Sequence, residues 1–243
     1  DIILCVDTSG SMRSVDFKPQ NRLGAAKEVA KSFIEARKRD RLGLVVFGGA
    51  AMTVCPLTVD KRALLELMDS VYIDMTGVEG TAIGMALATA AQRLKESDAD
   101  SKVIILLTDG RTNQGAVDPV TAAKAASSLG IKVYAVGAGS PEGGLMPVQH
   151  PILGTRYVRT EDDLDEITLR AVAREGKGAY FRAKDAQSLH RTFERINEME
   201  KSDYEIEKFT RYRDLYPAWL GIALVLLATA AGLSETVMRK IPG

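Results

Sequence analysis

Short apolar runs alternate with helical patterns through the first 200 residues of the chain. The runs are too short and too rich in β-branched residues for helices, so we expect buried strands at residues 2–6, 42–47, 103–107, 131–136 and 179–181. Apolar residues spaced by three and four predict helices at residues 21–38, 60–70, 83–94, 119–129, 164–174 and from 185 onward. This alternation predicts an α/β fold with a doubly wound, mainly parallel six-stranded sheet.

Three local features modify this regular pattern. Residues 51–54 follow a Gly-Gly turn and predict one short antiparallel edge strand, and we expect Pro56 to block further pairing. Gly84, inside a helical pattern, predicts a close approach of that helix to the sheet. Residues 140–157 are rich in Pro and Gly, which predicts a long loop or loose hairpin at the carboxyl end of the strands.

A cluster of hydroxyls follows the first predicted strand. Asp7, Ser9 and Ser11 alternate around Gly10, so a turn at this point can direct all three side chains inward. Ligands of open parallel sheets bind at the carboxyl ends of the strands. A carboxylate and two hydroxyls are oxygen ligands, which favours Mg²⁺ or Mn²⁺ over Zn²⁺.

Two distant residues are candidates for the same site. Thr81 precedes a helical pattern, and Asp109 directly follows the strand predicted at residues 103–107. Each also has an ordinary interpretation, Thr81 as a helix N-cap and Asp109 with Gly110 as a turn. The sequence pattern leaves both interpretations open.

The combination of Asp-x-Ser-x-Ser with a distant Thr and a distant Asp resembles the metal-ion-dependent adhesion site of von Willebrand factor A (VWA) domains. The resemblance covers roughly residues 1–200. Stretches such as Asn21-Arg22-Leu23, Gly80-Thr81-Ala82 and Thr108-Asp109-Gly110 are similar to the bacterial membrane-anchored branch, the Bacteroides aerotolerance (Bat) family, and most of all to its BatA branch.

The resemblance implies a division of roles at the site. Ser9 and Ser11 would bind the metal directly, Thr81 directly or through water, and Asp7 and Asp109 mainly through water. An open coordination position would then bind an Asp or Glu of a protein partner. The resemblance also implies sibling VWA membrane proteins and a MoxR-type AAA+ ATPase as partners, in stress or oxygen tolerance.

Composition excludes several other functions. The 32 basic and 32 acidic residues cancel, so no basic excess indicates nucleic-acid binding. Cys5 and Cys55 form no disulfide framework in a chain of 243 residues, and we expect free thiols. His150 and His190 lack a second ligand at zinc spacing.

The composition changes after residue 200. Residues 201–214 are polar and predict a stalk, linker or added strand, whereas residues 215–234 carry no charge. Twenty residues span roughly 30 Å as a helix, which predicts a transmembrane helix followed by a short tail at 235–243. Basic residues flank both ends, so orientation follows only from the resemblance, which implies a domain on the outer or periplasmic side of the bacterial cytoplasmic membrane. Because domains rarely begin flush with a central strand, we expect a preceding portion.

These observations favour a membrane-anchored, Mg²⁺-dependent protein-interaction module that is not an enzyme. One alternative is a structural subunit of a membrane complex, with the metal only ordering loops. Another is phosphoryl transfer, since Asp7 follows a first strand as an aspartyl nucleophile can. Ser9 stands where a second acid would be needed, which disfavours that reaction.

Overall fold

The computed structural model describes residues 1–110, 112–150, 154–160, 164–210 and 216–236. The chain divides into two compact units, Asp1–Met199 and Glu200–Gly243. The strands are β1 Ile2–Asp7, β2 Leu42–Phe47, β3 Ala51–Thr58, β4 Lys102–Thr108, β5 Ile131–Ala138, β6 Gly144–His150, β7 Gly154–Thr160 and β8 Lys177–Ala183. The helices are α1 Arg22–Ala36, α2 Lys61–Asp69, α3 Ile83–Lys95, α4 Pro119–Ser128, α5 Glu166–Glu175, α6 Ala186–Thr210 and α7 Tyr216–Thr236.

Six strands form one sheet in the order β3-β2-β1-β4-β5-β8. Only β3 is antiparallel to its neighbour, so the predicted mainly parallel six-stranded sheet with one antiparallel edge strand is confirmed. The order reverses between β1 and β4, which creates a crevice at the carboxyl ends of these two strands. The segment after β1 therefore lies where this fold class binds ligands.

Both faces of the sheet are covered by helices. On one face, Leu4 of β1 belongs to a core cluster with residues of α1, α2 and α6. On the other face, Cys5 belongs to a cluster with residues of α3, α4 and α5. Cys5 and Cys55 are buried free thiols, as predicted, and burial raises the pKa of Cys5 far above its ordinary value.

Strand β3 is longer than predicted. It continues through Pro56, and Thr58 still lies opposite Leu42 of β2. The register shifts on both sides of Leu44, so the pairing of this part of β3 with β2 is irregular. Pro56 therefore does not end the strand, and the prediction that it blocks further pairing was wrong.

Gly84 makes a different contact from the one predicted. A Cβ atom built there would lie 1.9 Å from the backbone oxygen of Val117, in the segment that precedes α4. The small residue thus allows α3 to approach the backbone that precedes α4, while other residues of α3, such as Leu87, pack on the sheet.

Strands β6 and β7 pair antiparallel as a separate two-stranded sheet, so the alternative of a hairpin at residues 140–157 is confirmed. Residues 151–153, between the two strands in sequence, lie outside the described residues.

The region after residue 200 differs from the sequence predictions. Residues 201–210 continue α6, so an added strand there was wrong, and residues 211–215 lie outside the described part of the chain. Helix α7 covers most of the predicted transmembrane segment, residues 215–234. Among the described helices, none is long and apolar enough to cross a bilayer. The transmembrane helix is therefore not confirmed.

Candidate metal centre

Asp7 is fixed at the carboxyl end of β1, in the centre of the sheet. Its side chain is fully buried. Oδ1 accepts a hydrogen bond from the backbone N–H of Ser9 at 2.8 Å, and Oδ2 accepts one from the Thr108 hydroxyl at 2.6 Å. Because Thr108 ends the neighbouring strand β4, the two central strands position this carboxylate together.

The two serines of the motif come together on a short 3₁₀ helix, Gly10–Arg13, and its preceding residue. Ser9 Oγ and Ser11 Oγ lie 3.0 Å apart, and Ser11 Oγ donates to Asp109 Oδ1 at 2.6 Å. Asp109 directly follows β4. The loops after β1 and β4 therefore present hydroxyls and carboxylates to each other.

Thr81 reaches the same place from a third loop. Helix α3 begins at Ile83 with Ala82 as its N-cap, so the alternative of Thr81 as the N-cap was wrong. The Thr81 N–H donates to Asn113 Oδ1 at 2.8 Å, which ties this loop to the segment after β4. A Cβ atom built on Gly110 would lie 3.6 Å from Thr81 Oγ1 and 4.0 Å from Ser11 Oγ. The hydroxyls of Thr81 and Ser11 thus border the space beside Gly110.

An arginine that the sequence analysis did not assign to the site contacts it directly. Arg22, the first residue of α1, is 6% exposed and donates from Nη1 to Asp109 Oδ2 at 2.8 Å. Its Nε and Nη2 donate to the Asp16 carboxylate at 2.6–3.0 Å. A cation in the first turn of a helix is unfavourable beside the helix dipole, and this is the one signal in the sequence that could have suggested acidic partners for Arg22.

Burial and neighbouring negative charges raise the pKa values of the two carboxyl groups at the site. Burial, then the charge of Asp109, raises the pKa of Asp7 to about 7, despite the hydrogen bonds from Ser9 and Thr108. Burial also raises the pKa of Asp109, although Arg22 and Ser11 act in the opposite direction. Burial would lower the pKa of Arg22, but Asp16 and Asp109 outweigh this effect and raise it. A further positive charge beside Asp7 would relieve the repulsion.

The donor set suits a hard divalent cation. It consists of hydroxyl and carboxylate oxygens, which Mg²⁺ and Mn²⁺ prefer. Within the described ranges, no three His, Cys, Asp or Glu side chains cluster closely enough to hold a metal. The capacity of this centre therefore depends on its hydroxyls. The structure brings all five predicted residues together, Asp7, Ser9, Ser11 and Asp109 by hydrogen bonds and Thr81 beside Gly110, while their role as ligands stays a prediction.

Comparison of the sequence with known families identifies the class of protein that has this arrangement. Residues 1–195 match the von Willebrand factor type A domain, and the chain belongs to this family. Within the family it is similar to Bat proteins of known structure, which confirms the family resemblance found in the sequence. Particular similarity to BatA stays a prediction.

Two similar structures come from Bacteroides. BatB of Bacteroides thetaiotaomicron is 30% identical with a TM-score of 0.71, over 82% of this chain and 98% of that one. An aerotolerance-related membrane protein of Bacteroides fragilis is 29% identical with a TM-score of 0.69, over 81% of this chain and 98% of that one.

A third structure shares only the fold. It is proximal thread matrix protein 1 from the mussel byssus, in which zinc is described as occupying the metal-ion-dependent adhesion site (MIDAS) motif. It is 20% identical with a TM-score of 0.60, over 82% of this chain and 45% of that one.

Proposed function

We propose that the chain is a metal-dependent protein-interaction module in which a divalent cation bridges the VWA domain to a carboxylate of a partner. Ser9, Ser11 and Thr81 would hold the cation, with Asp7 and Asp109 behind them. When bound, the cation supplies a Lewis-acid position that attracts an external Asp or Glu. The domain contributes the fixed oxygens and a surface that orients the partner.

One observation carries this proposal. Ser9 Oγ lies 3.0 Å from Ser11 Oγ, which lies 2.6 Å from Asp109 Oδ1, so two loops already hold their oxygens within hydrogen-bonding reach of one another. Such preorganisation lowers the cost of gathering ligands around a cation. Three of the five donors are neutral, so the protein would leave part of the metal's charge available to a partner.

Mg²⁺ is the proposed metal, with Mn²⁺ as a possible substitute, because both accept this oxygen set. VWA domains and Bat-type relatives are in general interaction modules and not enzymes, which supports a binding role. Membrane association is proposed because the Bacteroides fragilis neighbour is named an aerotolerance-related membrane protein. From the resemblance alone, we also propose a location on the periplasmic or outer side of the membrane. The partners proposed on the same basis are sibling VWA proteins and a MoxR-type AAA+ ATPase.

Capture of proteins from detergent-solubilised membranes tests the metal bridge. The wild type would be compared with Ser9→Ala, each in Mg²⁺ and in chelator. Ser14→Ala is a matched control, because Ser14 lies in the same segment and its buried hydroxyl has no hydrogen-bond partner within the described residues. Asp109→Ala is a poorer choice, since it would leave Arg22 buried without one of its anions.

We expect the wild type and Ser14→Ala to retain the same proteins only in Mg²⁺, and Ser9→Ala to retain far less of them. If all arms retain the same proteins in chelator as in Mg²⁺, the metal bridge is wrong. The chain would then be a structural subunit that assembles independently of the metal.

A further inference from the structure

The β6–β7 hairpin exposes apolar and basic side chains together. The exposed members, which we call the hairpin surface, are Leu145, Val148, Arg156, Tyr157, Val158 and Arg159. Tyr157 is 61% exposed and Leu145 is 43% exposed, values typical of side chains that a core does not cover. Residues 143–160 contain Arg156 and Arg159 and no Asp or Glu, whereas Glu142 precedes this range and three acidic residues follow it at 161–163.

Each face of the hairpin combines the two kinds of side chain. Opposed residues of an antiparallel pair share a face. Leu145 lies opposite Arg159, and Val148 lies opposite Arg156. Both arginine side chains are exposed, and neither has an ion-pair partner in the part of the chain that the structure describes.

The base of the hairpin is attached to the metal centre. Val15 lies four residues after Ser11, and its N–H donates to the backbone oxygen of Leu145 at 3.0 Å. The Ser140 N–H lies 3.3 Å from Asp16 Oδ2, and the same carboxylate binds Arg22, the partner of Asp109. A protein bound at the metal would therefore approach the hairpin surface closely.

The distribution of the exposed side chains favours a protein over a lipid surface. Leu145 and Arg159 lie on one face of the hairpin, and Val148 and Arg156 lie on the other face. A flat bilayer can cover only one of these faces. A protein with a cleft of complementary shape can contact both.

We propose that the hairpin surface is a second contact for the partner whose carboxylate binds the metal, and that this partner presents additional acidic residues beside apolar ones to it. The proposal rests on the proposed function only for the metal-bound carboxylate. The apolar side chains would bury area against the partner, and Arg156 and Arg159 would select for its acids.

A random peptide library displayed on phage tests this surface with the full chain as bait in Mg²⁺ and in chelator. The key variant is Arg156→Glu/Arg159→Glu, which reverses the charge at two exposed sites. Arg156→Lys/Arg159→Lys is the matched control that retains it, and thermal unfolding followed by circular dichroism verifies that each variant is folded. Vesicles of phosphatidylglycerol and phosphatidylcholine provide the lipid arm.

We expect the wild type and the lysine variant to select peptides rich in Asp and Glu next to apolar residues. The glutamate variant should recover that acidic pool at least about tenfold less efficiently, because like charges then face each other. Peptides selected by the glutamate variant should be enriched in basic residues instead. They should keep one acidic residue, whose enrichment still requires Mg²⁺.

Three results overturn the proposal: a wild-type pool with no acidic enrichment, an equal acidic content in the glutamate-variant pool, or charge-dependent binding to vesicles without peptide selection. The metal bridge fails separately if the wild type selects the same peptides in Mg²⁺ and in chelator, while the acidic content of the selected pool still falls in the Arg156→Glu/Arg159→Glu variant.

Discussion

Arg22 Nη1 donates a hydrogen bond of 2.8 Å to Asp109 Oδ2 across 87 positions of sequence. The other oxygen of Asp109 accepts from Ser11, so both oxygens of this carboxylate are held by the protein. Arg22 is thus a built-in cation that offsets part of the negative charge of Asp7, Asp16 and Asp109. The charge of the centre and the position of Asp109 depend on it.

Arg22→Met should destabilise the metal-free protein by about 3–5 kcal/mol, since it leaves Asp16 and Asp109 buried without their counter-charge. Mg²⁺ should recover part of this loss, because it brings positive charge to the same carboxylates. Urea unfolding in chelator and in Mg²⁺ measures both effects. Arg22→Lys, which keeps the charge but lacks the planar fork, should be intermediate. Equal stabilisation of wild type and Arg22→Met by Mg²⁺ would contradict this role.

Thr81→Val should weaken Mg²⁺ binding by about tenfold or more while the metal-free stability changes little, because Ala82 and not Thr81 occupies the N-cap of α3. Calorimetric titration with Mg²⁺ and urea unfolding in chelator separate the two quantities. Thr81→Ser keeps the hydroxyl and should bind as the wild type does. A loss of about 1 kcal/mol in chelator with unchanged Mg²⁺ affinity would restore the N-cap interpretation.

The raised pKa of Asp7 predicts a pH dependence with a definite sign. Between its ordinary value of 3.8 and about 7, the folded metal-free protein keeps a proton that the unfolded chain has released. The contribution of Asp7 to the free energy of unfolding should therefore fall as pH rises through this window. Stabilisation by Mg²⁺ should increase over the same window, because the cation requires the ionised carboxylate.

The free energy of unfolding, measured at about pH 5 and about pH 8 with Mg²⁺ and with chelator, tests this sign. The difference between the Mg²⁺ and chelator values cancels the titration of groups remote from the centre. Asp7→Asn should remove most of the pH dependence of that difference. Stabilisation by Mg²⁺ that is the same at both pH values would show that Asp7 does not titrate with the metal.

Gly84→Ala should destabilise the fold by about 1–3 kcal/mol or more, because its methyl group would lie 1.9 Å from the Val117 oxygen and a backbone must move. Thermal unfolding followed by circular dichroism measures the effect. Gly221→Ala is a control with no atom within 4 Å of the added methyl group, and it should change little. Equal melting temperatures for the two variants would mean that the α3 contact is loose.

The sequence predicted those parts of the site that depend on neighbouring residues. Asp7 ends β1, and Ser9 and Ser11 lie in the turn that follows it, so their convergence follows from a local pattern. Thr81 and Asp109 needed the family resemblance, because each also fits an ordinary cap or turn. Their spatial relation depends on which strands are adjacent, and the β1–β4 pairing supplies it.

The parts that the sequence did not predict are set by tertiary contacts. Arg22 carries no indication of which acid it will bind, since Asp109 reaches it only through the order of the sheet. Asp16 lies in a loop whose course is fixed by backbone bonds such as Val15 to Leu145. Gly84 fitted a helix that packs on the sheet, and only the path of the chain before α4 shows the contact that requires it.

Pro56 has a consequence for how copies of this chain can associate. It stands in β3, the edge of the sheet, where the strand is irregular and one amide hydrogen is missing. A foreign strand that tried to extend the sheet at this edge would find an incomplete ladder, which protects the protein from edge-to-edge aggregation. Addition of a second copy along β3 is therefore disfavoured.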